Sequence, residues 1–99
     1  MAVAIRTSGF PEGAGTDMYD GVTREMDIAN DPPDGLIFHW SGEVDGAWTI
    51  TDVWDTRDAY DRFREERLFP AIKKVSGMDP ADGPQPTISE SAVHHYVKP

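Results

Sequence analysis

Asp45-Gly46 sits between two runs rich in aromatic and β-branched residues, Leu36–Glu43 and Trp48–Trp54. A two-residue hairpin turn of type I′ needs positive φ at both central positions, and Asp-Gly supplies it at low cost. The chain should therefore reverse there and pair the two runs as antiparallel strands. A two-residue turn also sets the register. Trp40 then faces Thr51, His39 faces Asp52, Phe38 faces Val53 and Ile37 faces Trp54. One side of the hairpin shows Phe38, Trp40, Thr51 and Val53, which suits packing beneath helices. The other shows Ile37, His39, Ser41, Ile50, Asp52 and Trp54. That mixture of apolar walls and a few convergent polar groups is how small-molecule cavities are lined.

The remaining segments complete a pattern around this hairpin. Met1–Phe10 alternates Val3, Ile5 and Thr7 against Ala4, Arg6 and Ser8, which predicts a strand. Pro11 to Gly15 breaks it, and Thr16 or Asp17 can cap a helix carrying Tyr19, Val22 and Met26 on one stripe. The run Asn30-Asp31-Pro32-Pro33-Asp34-Gly35 should end that helix, since two prolines cannot continue it. After the hairpin, Asp55 or Thr56 caps a second helix with Asp58 in its first turn. Ala59, Phe63 and Ile72 read as its buried stripe, Pro70 as a kink after Leu68-Phe69, and Gly77 as its stop beyond Val75. Met78–Pro86 reads as a rigid loop, and Thr87–Val97 alternates as a last strand.

The order is β-α-β-β-α-β. Two right-handed crossovers sharing a hairpin predict a ferredoxin-like α+β fold, with antiparallel sheet order 4-1-3-2 and both helices on one face. Residues 1–99 are expected to form a single domain, since 99 residues are too few for two. The opposite sheet face also carries large apolar residues, and no further helix is left to cover it. A second copy of the chain is the economical cover, which predicts a homodimer.

Composition narrows the partners. A formal charge of −9, from 18 acidic and 9 basic residues, repels nucleic acid and anionic membrane alike. There is no cysteine, which excludes thiolate metal sites, thiol nucleophiles and disulfides. No apolar run is long enough to span a membrane and no signal-peptide pattern opens the chain, so a cytoplasmic protein is expected. Phosphate-loop, nucleophile-elbow and zinc-helix motifs do not occur.

The hairpin register brings out one pair able to do chemistry. His39 directly across from Asp52 would place imidazole and carboxylate within hydrogen-bonding reach, and the carboxylate would orient the ring as a general base requires. A His/Asp pair in a sheet also serves as a purely structural contact, and Arg6 on the first strand is a competing partner for Asp52. Tyr96 and His94 share a parity with Glu90 on the last strand, so Tyr96 is a candidate proton donor and His94 a candidate lining residue. Ile37, Ile50, Trp54 and Arg6 complete the expected substrate-binding set. His94 and His95 point to opposite faces of a strand, and the strands of His39 and His94 lie three spacings or ~14 Å apart. No metal is expected within a subunit, and only a site across a dimer interface stays open.

The stretches Pro32 to Gly42 and Trp48 to Asp55 resemble the dimeric α+β-barrel superfamily, and within it the small antibiotic-biosynthesis-monooxygenase-like proteins. Ala59-Tyr60-Asp61-Arg62-Phe63, Arg67-Leu68-Phe69-Pro70-Ala71 and Tyr19-Asp20-Gly21-Val22 fit the same pattern. The resemblance implies a homodimer whose two sheets enclose a barrel, with a ligand pocket between sheet and helices in each subunit. It implies small apolar or aromatic ligands, and Trp54 matches a position where several relatives place a cavity aromatic. The haem-degrading branch places an iron-binding His on the second helix. Residues 55–75 contain none, so no cofactor is expected. Together these readings lead to a cofactor-independent cyclase, isomerase or monooxygenase acting on an aromatic or polyketide-like substrate. In it His39 would be the base, Asp52 its partner, Trp54 a wall and Tyr96 a proton donor. The alternative is a non-catalytic ligand-binding or scaffolding homodimer.

Overall fold

The reversal forms as its turn chemistry requires, with φ of 52° at Asp45 and 81° at Gly46. The computed structural model describes residues 1–10, 16–83 and 85–98. In it β2 (Leu36–Val44) pairs antiparallel with β3 (Ala47–Trp54), and His39 faces Asp52, Trp40 faces Thr51 and Phe38 faces Val53. β1 (Val3–Ser8) pairs antiparallel with both β3 and β4 (Thr87–Ala92), so the sheet order is β2-β3-β1-β4. This is the expected ferredoxin-like α+β topology. The expected break at 11–15 lies outside the described residues, as does position 84 of the expected loop.

The helices follow their end signals with two departures. α1 (Thr16–Met26) stops well before the proline run, because Asp27 takes a φ of 53° and its N–H closes the last turn on Thr23 O. Aspartate tolerates the left-handed region better than most residues, since its short polar side chain can bond locally. Here the Asp27 carboxylate accepts from Asn30 Nδ2 at 2.9 Å. α2 (Arg57–Phe63) is capped by Thr56, whose hydroxyl accepts from Ala59 N–H at 3.1 Å. A π-turn, Arg64–Leu68, joins it to α3 (Phe69–Ser76). The expected kink at Pro70 is thus absorbed one turn earlier. Proline has no N–H for the i−4 carbonyl and clashes with it, and widening the preceding turn relieves both. Gly77 ends α3 with a φ of 75° and donates to Lys73 O at 2.8 Å.

One face of the sheet packs on the helices. Ile5 and Trp54, each 1% exposed, meet Ala59, Tyr60 and Phe63 of α2, with Leu36 and Met26 at the edge. The Trp54 ring lies 5.1 Å from Phe63 and 5.9 Å from Tyr60, centroid to centroid. Truncating a buried Phe or Trp typically costs about 3–5 kcal/mol, so this cluster is the main tie between α2 and the sheet. The two faces are therefore the reverse of the assignment made from the aromatic content of the hairpin. Phe38 is 61% exposed and Trp40 37% exposed, on the side away from the helices. Alternation defines two faces but not which one the crossovers cover.

Two further expectations are corrected. Leu36, not Ile37, faces Trp54, because the register slips between Leu36 and Phe38. Ile37 is the extra residue of a bulge, and the bulge turns Leu36 toward the core. The last strand ends at Ala92 rather than Val97. β1 begins at Val3, which pairs with Ala92, and Val93 N–H makes the final bond, to Ala2 O at 2.9 Å. Beyond that the alternating residues have no partner backbone to pair with.

Gly35 shows how tightly the entry to β2 is packed. Its φ is 88°, and a Cβ there would lie 2.5 Å from Asp55 Oδ1 and 2.6 Å from Ala59 Cβ. Gly46 has a similar φ but open space around it. Gly35→Ala is expected to lower the unfolding free energy by about 3 kcal/mol, and Gly46→Ala by about 1 kcal/mol, in urea titrations followed by circular dichroism. Equal losses would show that the contacts of Gly35 carry no extra cost.

Candidate functional site

Both ring nitrogens of His39 are engaged. Nδ1 bonds Asp52 Oδ1, and Nε2 lies 2.5 Å from the hydroxyl of Tyr19 on α1. The hairpin brings the first two together, and the β1–α1 crossover lays the third over them. The carboxylate can only accept, so Nδ1 carries the proton, and in the neutral ring Nε2 accepts from the Tyr19 O–H. The result is a chain, Tyr19–His39–Asp52, whose polarity runs from phenol to carboxylate.

The surroundings hold this chain in place. Asp52 lies on the central strand β3 between β1 and β2, opposite Ile5 on one side and His39 on the other, with its side chain 11% exposed. A carboxylate that buried is stable only if paired and hydrogen-bonded, and His39 supplies the partner. The Tyr19 and His39 ring planes are nearly parallel, 8° apart, and Trp48 meets Tyr19 edge-on at 5.5 Å between centroids. Tyr60 is a neighbour in the field of Asp52. Burial pushes its hydroxyl above the ordinary range, the Arg64 cation opposes this, and the Asp52 charge adds to it. Trp54 Nε1 is buried with no hydrogen-bond partner among the described residues.

The other residues singled out from the sequence are distributed differently. Trp54 and Ile50 share the face of Asp52, with Ile50 paired to Ser41 and Thr7. Ile37 sits in the bulge. Arg6 pairs with Thr51 and Ser89, which puts it on the opposite face, so it does not compete for Asp52. His94 and Tyr96 follow the end of β4, at the far edge of the sheet from β2, and Tyr96 is 48% exposed. The structure does not bring them to His39. Tyr19 occupies the place expected for Tyr96. Its position on the apolar stripe of α1 was readable, but the height at which that helix crosses the hairpin was not.

Among the described residues, surface depressions include the following two. One, of about 330 Å³, lies on the helix-free face against Arg6 and Thr51. The other, of about 180 Å³, lies between Pro33 and Phe63. His39 lines neither. Haem does not fit the residues around this site: His39 is bonded at both nitrogens, and no histidine occurs from Arg57 to Ser76.

No protein-family model and no curated protein matches the chain. Solved structures do. The Mycobacterium tuberculosis protein Rv0793 superposes with a TM-score of 0.67 at 15% identity, covering 97% of this chain and 98% of its own. A Chloroflexus aurantiacus protein, named as a candidate antibiotic biosynthesis monooxygenase, gives 0.67 at 12% identity and covers both chains completely, 100% of each. The haem-degrading protein Rv3592 of Mycobacterium tuberculosis gives 0.58 at 16% identity, covering 98% of this chain and 99% of its own. At such identities the likeness is one of architecture. The chain has the fold of the antibiotic-biosynthesis-monooxygenase-like proteins, with their four-stranded antiparallel sheet backed by helices on one face.

Proposed function

We propose that this protein binds a small, mostly apolar organic molecule beside His39 and catalyses proton transfer on it without a cofactor. The observation that carries the reading is the Tyr19–His39–Asp52 chain, with a proton donor at one end, an ionisable ring in the middle and a buried carboxylate behind it. A proton leaving an enolisable carbon passes to Tyr19 Oη as the phenol hands its own to His39 Nε2. Asp52 holds the ring and balances the imidazolium that forms. Returning the proton to a different carbon is an isomerisation, and ring closure by the enolate is a cyclisation. Oxygenation would need dioxygen as co-reactant. Trp54, expected as an aromatic wall, is buried against Tyr60 and Phe63 and so backs the site rather than lining it.

A second reading, a dimer that binds or scaffolds without turnover, is favoured by the packing. Trp54, Tyr60 and Phe63 fill the space beneath α2, and His39 lines neither surface depression. The two readings separate in deuterium oxide. With enolisable aromatic ketones as probes, catalysis should exchange the acidic C–H for deuterium, followed by proton NMR. His39→Gln, which keeps a polar partner for Asp52, is expected to slow exchange at least about 100-fold, and Tyr19→Phe about 10-fold. Exchange unchanged within twofold in His39→Gln would leave only the scaffolding reading.

The helix-free face supports a homodimer. It carries Phe38 and Trp40 exposed on alternate pairs of the hairpin, an apolar patch that one chain leaves to water. Light scattering after gel filtration is expected to give twice the chain mass of 11.0 kDa, and Trp40→Glu to return it to the single-chain value. A wild-type protein of single-chain mass at tens of micromolar would contradict the dimer.

A further inference from the structure

We infer that the helix-free face of the sheet carries a second binding site, for the phosphate or carboxylate group of a small molecule, built on Arg6 with Thr51, Ser89 and Ser91. This site is independent of the reading given to His39, from which it is separated by the thickness of the sheet.

The register builds it. Arg6 pairs with Thr51 on β3 and with Ser89 on β4, so one cation stands in a row between two hydroxyls. Ser91, paired with Ala4, adds a third hydroxyl one step along the face. These residues line the depression of about 330 Å³. Strands are ~4.8 Å apart, so a guanidinium and flanking hydroxyls at this spacing can reach one oxyanion together.

Two observations point to a ligand rather than to a solvated surface. The first is charge. The chain holds 18 acidic residues against 9 basic ones, yet the strand positions that share the face of Arg6 carry no carboxylate. The acids of β3 and β4, Asp52 and Glu90, point to the helix side, where they pair with His39 and Arg57. Arg6 takes part in none of the ion pairs among the described residues. The second is Thr51 Oγ1, which is buried without a hydrogen-bond partner among the described residues. An unsatisfied buried hydroxyl typically costs about 1–3 kcal/mol, and a turn of the Thr51 side chain toward the depression would let it donate to an anion seated on Arg6.

Closure of a second copy over this face would strengthen the requirement. It would strip water from Arg6 while the facing sheet brings the same cation and no acid, an arrangement that a bound anion corrects.

The test is a titration of the ¹⁵N-labelled full chain, at constant ionic strength set with chloride, with inorganic phosphate and separately with succinate. Saturable amide shifts at Arg6, Thr51, Ser89 and Ser91 are expected from at least one probe, and the stronger one identifies the group the site prefers. Arg6→Gln should weaken that binding fivefold or more, Ser89→Ala/Ser91→Ala should weaken it as well, and His39→Gln should leave it unchanged. No saturable shift with either probe, or a smaller loss in Arg6→Gln, overturns the proposal. Because the readout is anion binding and not turnover, its failure would leave the proton-transfer reading untouched.

Discussion

The pairing of His39 with Asp52 across a two-residue reversal is the constraint on which the rest of the molecule turns. Asp52 is drawn into the helix-covered side of the central strand, where a carboxylate is tolerated only with a committed partner. The turn at Asp45-Gly46 places His39 opposite it with no freedom of register, since a slip of one residue would send the imidazole to the other face. Tyr19 then closes the remaining ring nitrogen from above. Local turn chemistry, sheet register and a crossover helix thus converge on three side chains.

The sheet separates two kinds of chemistry. Beneath the helices lie the aromatic cluster around Trp54 and the polar chain that ends on Asp52. On the open side lie Phe38 and Trp40 at one end and Arg6 among hydroxyls at the other. The carboxylates of the strands go to the first side, and Arg6 goes to the second. That division follows from alternation on β1, β3 and β4 together, and no single strand shows it. No helix among the described residues is long and apolar enough to cross a membrane.

Much of this was legible in the residues. Asp-Gly between two aromatic runs set the hairpin, and the β-α-β-β-α-β order with right-handed crossovers left one sheet order to consider. The His39–Asp52 contact followed from counting outward from the turn. What escaped was long-range. The bulge at Ile37 has no turn residue to announce it, and it moves Leu36 into the core in its place. Which face the helices cover depends on crossovers, so Phe38 and Trp40 read as core and are exposed. The last strand is shorter than its alternation suggests, because that alternation continues past Ala92, the partner of Val3 at which β1 begins. Tyr19 was placed on a buried stripe, but its meeting with His39 depends on the crossing of α1 over β2, which local pattern does not encode.

The central claim is that His39 is held in one tautomer between a carboxylate and a phenol. Long-range ¹H–¹⁵N correlation spectra of the imidazole report that tautomer directly. Protonation at Nδ1, with a downfield proton that disappears in Asp52→Asn, is the outcome the arrangement requires. A ring protonated at Nε2, or an Nδ1 proton unaffected by Asp52→Asn, would contradict it.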